Sequence, residues 1–177
     1  MVSQTVVEIR NSLREKVVGS FFDEYKELAA TGRDLDGKAQ GTVTIAGIFI
    51  AASFAYLRDL GATTLNVEKV FLTITIVCLI VTVVLSILAL RVRKVTFLPL
   101  GEFTATFLRD LYIVDDEAEI IERNSRFLDD QVLAWIKVKT DGLTSNKAKG
   151  DYLWSAQVFL VLAVLAASIL VVIRIYK

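Results

Sequence analysis

The sequence predicts an all-α integral membrane protein: three transmembrane helices with a cytoplasmic helical stalk. Three observations lead there. The 177 residues are 54% hydrophobic. Three uncharged runs carry the excess: Gly41 to Leu57, Val70 to Leu90 and Leu153 to Ile173. No alternating strand pattern, internal repeat or low-complexity segment competes with helix. A helix rises about 1.5 Å per residue against a hydrocarbon core about 30 Å thick. The second and third runs therefore span with ease. The first needs tilt or a few preceding residues.

In chain order the elements are a cytoplasmic amphipathic helix over 1–36 and a first span over 37–58. An external loop over 59–69 leads to a second span over 70–91. A cytoplasmic helical segment over 92–151 and a third span over 152–175 complete the chain. In residues 4–31, Val6, Ile9, Leu13, Val17, Phe21, either Glu24 or Tyr25, and Leu28 repeat at three-to-four spacing, the mark of one helix face. Thr31 and Gly32 suit its end, because glycine takes the left-handed C-cap. The stripe has two fates: the membrane surface, or packing on another cytoplasmic helix. Its polar face mixes both signs of charge, which favours helix packing. No apolar core of a secretory leader occurs in residues 1–30, so the first span is expected to act as its own insertion signal.

After the second span, Pro99 and Gly101 mark a break. A short helix is expected over 102–112, with Phe103, Phe107 and Leu111 on one face. Asp115, Asp116 and Glu117 suit a helix start, where carboxylates meet the positive end of the dipole. A long helix should follow to about residue 141, its face formed by Ile121, Leu128, Val132, Trp135 and Ile136. Gly142 and the following Thr-Ser-Asn weaken it. This helix is the natural partner for the N-terminal one.

Orientation follows from Lys and Arg placement. Residues 1–40 and 91–152 hold 16 basic residues, and the other side holds four. The N-terminus and the long middle segment are therefore expected in the cytoplasm and the C-terminus outside. Acids and bases balance at 20 each, and no basic stripe suggests nucleic acid. The chain has no His and a single Cys, Cys78, which reads as a packing residue within a span. Without His, the Ser-His and Cys-His nucleophile arrangements are absent. No glycine-rich phosphate loop occurs. No catalytic, cofactor-binding or metal-ligating residue is expected, and the acidic run at 115–122 reads as a charged helix start. The three uncharged runs also argue against a proton-coupled transporter, which needs an ionisable group within the membrane.

Small residues repeat within the spans. Thr44, Gly47, Ala51 and Ala55 form a stripe on the first, Gly37 and Gly41 a GxxxG at its entrance, and Ala163 and Ala167 the same spacing on the third. Such faces let helices approach closely in lipid, within one monomer or between monomers. At the entrance to the first span, Asp34 and Lys38 stand four apart, as do Asp36 and Gln40. This is either a charged flank or a lock, with Asp36 and Lys38 holding the first span against Asn146, Lys147 and Lys149.

Two stretches carry a resemblance. The run LDGKAQGTVTIAGIF, with Asp36, Lys38 and Ala39, resembles the D-x-K-A opening of the first span in SLATT and Pycsar-type bacterial transmembrane effectors. The run LTSNKAKGDYLWSAQVFLVLAVL, with Asn146 and Lys149, is similar to their N-x-x-K approach to the last span. The resemblance covers roughly residues 20–177. It implies a homo-oligomeric effector in the lipid bilayer of the bacterial inner membrane, impairing that membrane during phage infection. In those families a nucleotide sensor is often fused to the spans or paired with them. No sensor domain is recognisable here, so sensing falls to the cytoplasmic helices or to a separate nucleotide-signalling protein. A non-conducting scaffold whose cytoplasmic helices dock a partner is the other reading of the same features, and a constitutive channel a third.

Overall fold

A computed structural model describes residues 4–58, 66–92, 105–107, 109 and 116–176. Three long helices account for nearly all of them: α1 (Gln4–Arg58), α2 (Asn66–Arg91) and α3 (Glu117–Ile175). Each contains a stretch long and apolar enough to cross a membrane. The chain divides into two compact units. The first holds residues 4–30, 105–107, 109 and 116–145. The second holds 31–58, α2 and 146–176.

On α1 and α2, half-buried and buried positions recur three and four apart. On α1 these are Asn11, Arg14, Val18, Phe21, Tyr25 and Leu28 in the first unit. In the second they are Gly32, Leu35, Ala39, Thr42, Ala46, Phe49, Ser53 and Tyr56. On α2 they are Glu68, Leu72, Thr75, Leu79, Thr82, Ser86 and Ala89. A seam of period 3.5 is that of helices packed knobs-into-holes. Helices α1 and α3 run parallel. The pair Arg14–Asp129 in the first unit joins residues 115 apart in sequence, and Asp36–Lys149 in the second joins residues 113 apart. Helix α2 runs opposite to both, since Ala89 meets Ala39 and Leu153 while Leu79 meets Ala46 and Ala163.

In the first unit the expected pairing of the N-terminal helix with the helix after residue 116 is present. Asp116 caps α3, accepting a hydrogen bond from the Ala118 amide at 3.2 Å. Buried Trp135 takes the edges of Phe22 and Tyr25, with ring centroids 6.1 and 5.8 Å away. The expected stripe on α1 is corrected at its start. Ile9, Leu13 and Val17 are exposed, and the inward face there is Asn11, Arg14 and Val18. Arg14 decides this. It donates to Ser125 Oγ at 2.7 Å and to Asp129 at 2.9 Å, drawing its own face toward α3. Ile136 is likewise exposed, while Leu128, Trp135 and Val138 are buried.

Two expected helix ends are corrected. Helix α1 continues through Gly32, and α3 through Gly142 and Gly150. No described glycine has a positive φ, so none acts as a left-handed cap. Gly32 and Gly142 serve close approach instead. A Cβ on Gly32 would stand 3.1 Å from Asn146 Oδ1, and one on Gly142 would stand 3.6 Å from Leu28. Asn66 to Lys69, expected within the external loop, are helical and open α2. Residues 59–65 lie outside the described residues. Of the helix expected over 102–112, residues 105–107 and 109 are helical and the rest, including Phe103 and Leu111, lie outside the description.

Candidate functional site

The second unit is apolar outside and partly polar inside. Ile45, Ile48, Phe54, Val70, Val77, Val84, Leu165 and Val171 are among its exposed side chains. Its interior sets small residues against leucines. Ala46 and Ala163 pack with Leu79, flanked by half-buried Cys78, and Ala39 packs with Ala89 and Leu153. Lipid tails are as apolar as leucine, so helices in a bilayer associate through close packing and interhelical hydrogen bonds rather than hydrophobic burial. Small side chains supply the first; of the hydroxyls, Thr82 reaches across to the Ala156 carbonyl at 3.3 Å, while Thr42, Ser53 and Thr75 donate to carbonyls one turn back on their own helices.

At one end of this unit the two sequence motifs meet. Lys149 Nζ donates to Asp36 Oδ1 at 2.7 Å, with the Lys149 side chain 9% exposed and that of Asp36 35% exposed. One helical turn away, Asn146 lies over Gly32, and three residues on from Asp36, Ala39 enters the core. A buried lysine without a counter-charge would cost several kcal/mol. The pair therefore sets the register of α1 against α3. Lys38 takes no part. It points outward and pairs with Asp34 at 2.7 Å, both side chains more than half exposed. The expected lock is thus Asp36 with Lys149, and Lys147 is exposed beside it.

The expected small-residue stripe on the first span lies elsewhere than in the bundle. Thr44, Gly47, Ala51 and Ala55 are exposed, and a Cβ on Gly47 would meet nothing within 4 Å. Gly37 and Gly41 are equally open. The small residues that pack α1 within the protomer are Ala39, Thr42, Ala46 and Ser53, one ridge around the helix. Ala163 on α3 is buried and Ala167 half-buried.

At the other end lies a residue that the sequence hides. Glu68 falls just before the second apolar run and reads there as loop. In the structure it belongs to the first turn of α2 and is 0% exposed. Arg174 of α3 brings a nitrogen to 4.0 Å from its Oε2. The signal that finds it is the heptad: Glu68 stands one repeat before Thr75 and two before Thr82. The uncharged second run is therefore flanked by a carboxylate inside the bundle, which qualifies the absence of buried charge expected for the spans.

The first unit adds one groove of about 580 Å³, beside the stacked rings of Phe107 and Phe127. Its rim carries the pairs Glu119–Arg123 and Glu122–Arg126 together with Asp130, so one carboxylate stands in excess. Among the described residues, no group of three or more Cys, Asp or Glu side chains is placed to hold a metal ion. No family model, no curated protein and no solved structure matches this chain.

Proposed function

We propose that this protein is an oligomeric membrane effector that perturbs or permeabilises the bacterial inner membrane, in anti-phage defence by abortive infection. In this reading the first unit lies in the cytoplasm, the three apolar helices cross the bilayer, and the C-terminus is external. The chemistry is not enzymatic. One observation carries the reading: the two stretches that resemble effector motifs converge. Asp36 and Ala39 on α1 face α3, and Lys149 and Asn146 on α3 face α1. A plain anchor needs only apolar helices. A charge pair set between two parallel helices as they enter the apolar unit is a registry device, and registry matters when helices must reassemble.

Assembly needs a surface. Leu133, Ile136 and Leu143 on α3 and Leu13 and Val17 on α1 are exposed apolar side chains of the first unit. In the proposed cytoplasmic setting they offer a face to further copies of the chain. A separate sensor or nucleotide-signalling protein would supply the trigger. The same residues favour the second reading, a scaffold that docks a partner protein without conductance.

Induced expression in bacteria, read by membrane potential and growth, tests the proposal. Wild type should depolarise the cells. Lys149→Ala should abolish the effect, while Lys38→Ala, which removes the same charge from the outer surface, should retain it. Cells that stay polarised while the protein recovers a stoichiometric partner would replace the effector with the scaffold.

A further inference from the structure

Polarity in α2 is directed inward. Between Val70 and Leu90 the hydroxyl residues are Thr73, Thr75, Thr82 and Ser86, and only Thr73 is exposed. The other three share the inner seam with Glu68. Packing accounts for part of this. Thr75 and Thr82 donate to carbonyls one turn back, at 2.9 Å each, and Thr82 Oγ1 also lies 3.3 Å from the Ala156 carbonyl across the bundle. Close packing does not call for the rest. Ser86 is fully buried, and its Oγ has no hydrogen-bond partner among the described residues. The same holds for the buried Tyr56 hydroxyl on the α1 seam. A carboxylate buried at the seam's end is dearer still, and ionisable groups inside membrane bundles mark paths for ions or substrates. From Glu68 to Ser86 the seam climbs about 27 Å at 1.5 Å per residue, close to the hydrocarbon thickness of about 30 Å.

We propose that the inner seam of α2, formed by Glu68, Thr75, Thr82 and Ser86, lines the path by which small monovalent cations cross the membrane. The inference rests on the permeabilising reading and adds the lining and the sign of charge. Hydroxyl and carbonyl oxygens replace part of a cation's hydration shell, and a carboxylate at the mouth repels anions. Arg174, half exposed at the end of α3, is the counter-charge an entering cation displaces. In the packed protomer the seam is closed by its neighbours, so the path opens as the helices part on assembly.

The test uses the full chain in planar bilayers of phosphatidylethanolamine and phosphatidylglycerol, with a potassium chloride gradient. Wild type should pass potassium in preference to chloride. Glu68→Gln, nearly isosteric, should lower that preference about tenfold, because the neutral amide no longer repels anions at the mouth. In a Cys78→Ala background, Ser86→Cys should be blocked by a cationic, water-soluble methanethiosulfonate, and Thr73→Cys should not. The block reports water access directly, apart from any effect on folding. A conducting protein with its ion preference unmoved by Glu68→Gln and with Ser86→Cys unreactive overturns the proposed lining while leaving the effector intact. Bilayers that stay sealed with assembled wild type remove the permeabilising reading and the path with it.

Discussion

The two units pack parallel α1 and α3 on one heptad scheme, yet they hold them together differently. In the first, long side chains reach across: Arg14 to Asp129, Lys139 to Glu24 at 2.6 Å, and Trp135 between Phe22 and Tyr25. In the second, alanine, serine and threonine interleave with Leu72, Leu79, Leu153 and Leu170, with the Asp36–Lys149 pair at one end and Glu68 at the other. The difference goes with what each unit exposes. Where the exterior is charged, large apolar and aromatic side chains gain by leaving water. Where the exterior is apolar, burial gains little and only close approach helps. One heptad scheme thus carries two chemistries.

The comparison breaks most sharply at Trp135. Trp135→Ala should destabilise the first unit by about 3–5 kcal/mol, the usual cost of emptying a large aromatic site. Denaturant unfolding in mild detergent would read it. An effect under 1 kcal/mol would mean that the first unit is not held by its aromatic core. Next comes the ion pair. Lys149→Ala should cost about 2 kcal/mol, between a surface pair and a fully buried one, because Asp36 is partly exposed. The double variant with Asp36→Ala should cost less than the two singles added, since each single strands the other charge.

Two adjacent residues sharpen the contrast further. Ala46→Leu should cost about 1–3 kcal/mol by overpacking the bundle. Gly47→Leu points into open space and should leave the protomer's stability unchanged within about 0.5 kcal/mol. A sequence reading that places Gly47 in a packed stripe expects the reverse. If Gly47→Leu leaves the fold intact but abolishes assembly, the exposed stripe joins protomers; if it assembles as wild type, the stripe faces lipid. Gly142→Ala should stabilise by about 0.5–1 kcal/mol, since helix propensity rises and the new methyl meets only ordinary contact with Leu28. The smallest effects belong to Lys26→Ala and Lys38→Ala. Both remove exposed local ion pairs, worth about 0.5 kcal/mol or less.

Much of the helical layout was legible along the chain, and much of the candidate site was not. Uncharged runs announce themselves because hydrocarbon tolerates nothing else over such a length, so three spans could be read from Gly41, Val70 and Leu153 onward. The carboxylate start of α3 was readable too, because Asp116 acts within one turn. The glycines misled, since Gly32 and Gly142 look like helix ends until Asn146 and Leu28 are seen against them. The phase of α1 misled as well: apolar spacing chose Leu13 and Val17, and Arg14 chose otherwise through partners more than a hundred residues away.

By itself, then, the sequence determined what is local: helix, hydrophobic length, charge balance and the cap at Asp116. Tertiary structure decided which face of each helix turns inward, which of Asp36 and Lys38 forms the lock, and that Glu68 lies inside the bundle. The physical reason is that inwardness depends on a partner. A helix presents every side chain around its axis, and only a second helix in a defined register makes one stripe the interior.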